Sequence, residues 1–232
     1  MNSSGQKWKT FYALNDLPWF NHNIKRDISY FKRMFNDSEI VVALVSDLES
    51  DKTLAILEAG CGTAELSICL SLKYDNVTAF DYNEKAIEIA FNLMDQAGRE
   101  INVYVDDLLN LKLCEKKYDL IFNQAVFEYF RPSERRIGLK KIKSLLKPGG
   151  RISIIAQNTS HPIIKKYGHQ PNVYRLTPKI LISEFKSSGF KKIKCKGLFS
   201  AKIITNIFLP KNATEQTRYN LYRIIRKIPL PS

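Results

Sequence analysis

Residues 54–71 read Leu-Ala-Ile-Leu-Glu-Ala-Gly-Cys-Gly-Thr-Ala-Glu-Leu-Ser-Ile-Cys-Leu-Ser. No other stretch constrains the fold as much. Leu54, Ile56 and Leu57 make a short apolar run of strand type, and Gly60 and Gly62 make a tight turn. Leu66, Ile68, Leu70 and Leu72, set among polar neighbours, read as a helix leaving that turn. A strand, a glycine turn and a helix N-terminus in this order build the binding crevice of an open α/β sheet. Glycine lets a ligand approach the backbone closely because no Cβ stands in the way. Glu58 places an acid at the strand end, just before the turn.

The turn separates two ligand classes. A dinucleotide site wants a third glycine at position 65, with a pyrophosphate over the helix N-terminus. Glu65 stands there instead, and its carboxylate repels a pyrophosphate, so NAD and FAD are discounted. The downstream chain repeats the strand–acid–helix theme. Residues 76–81 form a second short strand ending in Asp81, 21 residues after Gly60. An acid about 20 residues on can accept hydrogen bonds from both ribose hydroxyls. Asn83 reads as the N-cap of a helix to about Ala97, with Ala86, Ile87, Ala90, Phe91 and Met94 at helical spacing and Gly98 as the stop. Residues 101–105 read as a third strand, followed by Asp106, Asp107 and Leu108, and residues 118–123 as a buried fourth. An amphipathic helix over 133–146 faces the core with Leu139, Ile142, Leu145 and Leu146. Lys147-Pro148-Gly149-Gly150 ends it and turns the chain into a fifth strand at 151–156. A helix over 177–188, closed by Gly189, and a strand at 190–198 complete the pattern.

The pattern Glu58-x-Gly60-x-Gly62-x-Ala64 resembles motif I of the class I S-adenosylmethionine (SAM) methyltransferases, with Ala64 where that family most often has glycine. The resemblance extends in order over residues 51–198, through Asp81, the fourth strand with Val126-Phe127-Glu128, and Leu146-Lys-Pro-Gly-Gly150. It implies an α/β fold with a doubly wound, mostly parallel sheet and N-terminal cap helices. It also implies SAM as cofactor, which carries no phosphate for Glu65 to repel. The cofactor-binding residues it implies are Glu58, Gly60, Cys61, Gly62, Asp81, Tyr82, Asp106, Asp107, Leu108 and Asn123. Asp81 would hold the ribose and Asp107, or Asp106, the adenine amino group. Leu108 would pack on the adenine ring, and Asn123 would lie near the methionine part. The expected organisation is a helical cap at 1–50, the SAM-binding domain at 51–200 and a basic tail at 201–232.

Composition narrows the setting. A chain of 232 residues with 44% hydrophobic content suits one domain with additions. No apolar run approaches the roughly 18 residues that span a bilayer, and the N-terminus lacks a signal-peptide apolar region. Cys61, Cys69, Cys114 and Cys195 have no metal-ligand spacing and read as reduced thiols of a cytoplasmic protein, with no metal site expected. Charge is unevenly spread. Residues 1–130 hold 13 Lys+Arg against 20 Asp+Glu, and residues 131–232 hold 23 against 3. Such asymmetry points to an anionic partner: an acidic acceptor, an anionic membrane surface contacted peripherally from the inside, or nucleic acid. Few aromatics interleave with the lysines, which disfavours single-stranded nucleic acid. Near the C-terminus Leu221, Ile224, Ile225 and Ile228 share one helical face and Arg223, Arg226 and Lys227 the other, as in a surface-lying helix. Residues 202–209 are the candidate seventh strand; otherwise the chain is short of one.

Residues 1–50 hold Trp8, Phe11, Tyr12, Trp19, Phe20, Tyr30, Phe31 and Phe35, which in similar enzymes cover the cofactor and shape the acceptor pocket. The second wall is expected from residues 158–174, with His161, His169 and Tyr174. Methyl transfer from a sulfonium is an in-line displacement whose rate comes largely from positioning. A base is needed only where the acceptor loses a proton early, and His161 and His22 are the candidate catalytic residues because histidine titrates near neutrality. Asn123-Gln124-Ala125-Val126 replaces the Pro-Pro-Tyr type motif that holds planar amines in nucleic-acid enzymes of the family. The expected function is methyl transfer to oxygen or nitrogen of a small-molecule, sugar or lipid-linked acceptor. An RNA or protein methyltransferase and an inactive SAM-binding module are the alternatives.

Overall fold

A strand that stays apolar through every residue has both faces covered, and this determines how the chain is layered. The structure, a computed structural model, describes residues 24–46, 48, 51–112, 117–160 and 173–197. Two short helices come first, α1 (Ile28–Asp37) and α2 (Glu39–Val45). The core then runs β1 (Ala55–Ala59), α3 (Glu65–Leu70), β2 (Asn76–Asp81), α4 (Glu84–Ala97), β3 (Asn102–Val105) and β4 (Tyr118–Gln124). One tight helical turn (Phe127–Tyr129) leads to α5 (Pro132–Leu145), β5 (Leu146–Ile155) and α6 (Pro178–Ser187).

The five strands form one sheet in the order β3-β2-β1-β4-β5, and every pairing is parallel. The chain lays β1, β2 and β3 outward in one direction. It then returns past β1 to lay β4 and β5 in the other. This reversal opens a crevice beyond the carboxyl ends of β1 and β4.

Alternation within buried strands assigns the layers. Ile56 and Phe122 join Phe31, Ile68 and Leu93 in one cluster, so that face packs on α1, α3 and α4. Leu57 and Ile121 join Phe127, Leu139, Ile142 and Phe185 in the other, under α5 and α6. Ile56 and Leu57 are both 0% exposed, and each contributes about 1.5–3 kcal/mol by burial.

Capping follows the sequence closely. Asn83 Oδ1 accepts from the backbone N–H groups of Lys85 and Ala86, and Gly98 closes α4 at φ 58°. Thr177 caps α6, with Oγ1 accepting from Ile180 N. Pro132 opens α5, where its missing N–H costs nothing.

Two expectations are corrected. Residues 147–150 do not precede the fifth strand but bulge out of it. Leu146 already pairs with Tyr118, and Arg151 pairs with Leu120. The expected strand at 190–198 is absent among its described residues, 190–197. Phe190 packs on Phe185 at 5.0 Å between ring centroids, Lys192 takes φ 54°, and the next partly buried apolar residue is Ile193. That spacing of three is wrong for a strand, which needs alternation.

Residues 1–195 and 196–232 form separate units, and only Lys196 and Gly197 of the second are described. The C-terminal amphipathic helix, the candidate strand at 202–209, and the aromatics at positions 8–20 all lie outside the described residues. Among the described residues no helix is long and apolar enough to cross a membrane.

Candidate active site

The crevice is built from the tips of β1, β2 and β4. Past Ala59 the chain turns at Gly60 (φ 77°) and Gly62 (φ 54°). The N–H groups of Gly60 and Cys61 both donate to Phe80 O, at 2.8 and 2.9 Å, which ties the turn to β2. The two glycines serve different ends. A Cβ on Gly60 would stand 2.7 Å from Val126 Cγ2, so its absence lets the segment after β4 lie across the turn. A Cβ on Gly62 would meet nothing within 4 Å, so this position borders open space and needs glycine for its backbone. Ala64 also takes the left-handed conformation (φ 56°), which explains why glycine suits that position better.

Asp81 ends β2 and is 8% exposed. Its Oδ2 accepts from Gly62 N at 2.8 Å and its Oδ1 from Asn83 N at 2.9 Å. Burial, ahead of any other influence, pushes its pKa up. A carboxylate has about four acceptor sites, so these backbone bonds do not saturate Asp81. Tyr82 beside it is half-buried. Past β3, Asp106 N donates to Asp81 O at 3.0 Å. Asp106 Oδ1 accepts from Asp107 N and Lys112 N, and Asp107 Oδ1 from Leu109 N, so both acids shape the loop beside Asp81. Asn123, near the tip of β4, is 0% exposed, and neither its Oδ1 nor its Nδ2 has a partner.

Residues 56–150 match the family model of a methyltransferase domain. The chain is 28% identical over 154 residues to the malonyl-[acyl-carrier protein] O-methyltransferase of Priestia megaterium, covering 65% of this chain and 54% of that protein. It is 30% identical over 126 residues to the ubiquinone biosynthesis O-methyltransferase of Coxiella burnetii, covering 53% of each. The chain thus spans about half the length of these curated relatives. Its fold superposes with a TM-score of 0.53 on the magnesium protoporphyrin IX methyltransferase of Synechocystis solved with S-adenosylhomocysteine, at 23% identity over 82% of this chain and 85% of that one. A Pyrococcus horikoshii protein gives a TM-score of 0.59 at 14% identity over 77% of this chain and 88% of that one. Residues 56–150 thus resemble a methyltransferase domain, on a fold shared with these solved structures.

Within residues 56–150, several expected residues make contacts the sequence did not disclose. Glu58 is 3% exposed and accepts from Ser67 N at 3.1 Å and Ser67 Oγ at 2.6 Å, which braces β1 against α3. Burial pushes its pKa up to about 8, against the opposing pull of the Ser67 bonds. Leu108 is buried in the cluster with Phe127 and Leu139, against Gly138 of α5. Cys61 is half-buried in the turn, and burial, then the charges of Asp81 and Glu58, push its thiol pKa well up. Its thiolate is therefore disfavoured. His22, His161 and His169 lie outside the described residues.

Two features escaped the sequence reading. Glu65 is held by Arg26, whose Nε donates at 2.9 Å, and by Tyr30, whose hydroxyl donates at 2.8 Å. The acid at the third glycine position therefore fastens the segment leading into α1 to the start of α3. Glu128, in the turn after β4, is 3% exposed, and its Oε2 has no partner. The available signal was a lone acid inside the apolar run 125–130. Tyr174, expected in the second wall, does border this turn: its N–H donates to the main-chain oxygen of Glu128 at 2.7 Å.

Proposed function

We propose that the chain binds SAM in the crevice between β1 and β4 and transfers its methyl group to oxygen or nitrogen of a small-molecule acceptor. The observation that carries this reading is the turn at residues 60–62, tied to Asp81 at the point where strand order reverses. The residues present fit the cofactor. Gly62 leaves open space at the turn, Asp81 offers acceptor capacity for a diol, and Asn123 presents an amide without a protein partner. SAM supplies an electrophilic methyl group on a positively charged sulfur. The chain's own part is positioning. Asp81 and the turn hold the ribose, the loop at 106–108 borders the adenine side, and Asn123 faces the methionine end. The relatives named above, both O-methyltransferases, support a small-molecule acceptor.

The outer side of α5 exposes Arg136, Lys140 and Lys143, and α6 beside it exposes Lys179 and Lys186. This single-sign face fits an anionic acceptor, or an anionic surface that presents one.

Calorimetry tests the cofactor assignment. Hydrogen bonds to a charged group are worth about 1.5–3 kcal/mol, so Asp81→Ala should weaken SAM binding roughly 10- to 150-fold. Because Asp81 also holds Gly62, part of that loss comes from a loosened turn. A 2′-deoxy analogue separates the two effects: it should lose affinity for the wild type but little for the variant. Equal losses in both proteins would remove Asp81 from the ribose site.

A further inference from the structure

We propose that Glu128 receives the acceptor's proton during methyl transfer, and that the acceptor is a hydroxyl compound rather than a carboxylic acid. The inference rests on the methyltransferase reading above and names the acceptor class for the same site. Glu128 follows the tip of β4. Val126, two residues earlier, lies against Gly60, so this turn touches the glycine loop. Glu128 Oε1 accepts from Gln157 N at 3.2 Å, just past the tip of β5. The carboxyl group thus bridges the tips of β4 and β5, beside the turn where the cofactor binds.

Glu128 contrasts with Glu58, the other deeply buried glutamate among the described residues. Glu58 is braced by two bonds from Ser67, which is how a structural acid is satisfied. Glu128 keeps Oε2 buried and unpartnered, and Asn123, near the tip of β4, keeps both amide atoms unpartnered. Three unmet polar atoms on β4 and the turn that follows it are costly to fold unless a ligand completes them. A hydroxyl does so: it donates to Oε2, while Asn123 can hold its oxygen.

Charge selects among acceptors. An ionised carboxylate at Oε2 repels a carboxylate acceptor, which in any case has no proton to lose. Burial pushes the Glu128 carboxyl up to about 7, where it can take a proton and release it again. The titratable neighbours are Tyr129, whose phenol is pushed up to about 12 by burial and then by Glu128, and Tyr174, to which Arg131 Nε donates at 3.2 Å. In the step, the acceptor oxygen forms a bond to the methyl carbon and the carbon–sulfur bond breaks. Its electron pair stays on sulfur as a neutral thioether, and the hydroxyl proton passes to Glu128 Oε2 and then to water.

The test incubates the full chain with methyl-labelled SAM and a deproteinised small-molecule fraction of cell extract. The expected label is in methyl ethers, which survive mild alkali and leave acidic water for organic solvent. Glu128→Gln should lower labelling by at least about 100-fold with unchanged SAM affinity. The wild-type rate should rise with pH through about 7. Glu128→Asp, which keeps the acid, should retain a pH-dependent residual rate and guards against a misfolded Gln variant. Label released as methanol by alkali, or retained as N-methyl cations, overturns the inference and leaves the methyltransferase reading standing. So does a folded Gln variant within threefold of wild type. No labelled product from a wild-type protein that binds SAM overturns methyl transfer itself, and the inference with it.

Discussion

Glu58 has a consequence for stability that can be signed from its surroundings. Burial raises its folded pKa from 4.5 to about 8. The folded protein therefore holds this proton at pH values where the unfolded chain has released it. Between pH 4.5 and about 8 the unfolded state binds fewer protons, so stability falls as pH rises, and the trend is flat outside that window. Each pKa unit corresponds to about 1.4 kcal/mol. Glu128 acts with the same sign up to about pH 7, and Asp81 in the same direction. Glu58→Gln keeps an acceptor for Ser67 but cannot ionise, so denaturant midpoints measured from pH 5 to 8 should decline less steeply than in wild type. Parallel slopes in the two proteins would place the Glu58 carboxyl in contact with water.

At the level of elements, the ion pair between Arg26 and Glu65 joins the segment leading into α1 to α3 across 39 residues of sequence. Arg26 has a side-chain exposure of 5% and Glu65 of 22%. Breaking such a pair removes the carboxylate that faces Arg26 and costs on the order of 3 kcal/mol. Glu65→Ala should therefore speed hydrogen exchange in α1 while the amides of β1 and β4 keep their protection, since local opening need not unfold the sheet. Uniformly faster exchange would show that the pair supports the whole core instead. The sheet itself was legible in the sequence. Its strands are short apolar runs, several ending in acids, and α4 carries both caps in its own residues. The Arg26–Glu65 pair was not legible, because no local period marks a partner 39 positions away. The part played by Glu128 was not legible either, since one acid in an apolar run does not show whether it is braced, as Glu58 is, or unmet. The strand expected at 190–198 failed because composition suggested it while the spacing of Phe190 and Ile193 did not.

Across the whole molecule the acids of residues 1–130 and the bases of residues 131–232 segregate. Exposed charges act over about 8 Å at physiological salt, so attraction between the α5–α6 face and an anionic partner must fade as salt rises. Reversing Arg136 and Lys140 to glutamate should weaken co-sedimentation with anionic vesicles at low ionic strength, and the difference from wild type should vanish in about 1 M salt, where screening reaches about 3 Å. Co-sedimentation that ignores both salt and the reversal would take this face out of surface binding. The crevice lies where strand order reverses between β1 and β4. Asp81, Asp106 and Asp107 stand toward one side of it, and the cationic helices α5 and α6 follow on the other. An acceptor with a negative end and a neutral end therefore feels a torque as it approaches. It is turned with its negative end toward β5 before either wall touches it, so part of the orientational search is finished in solvent.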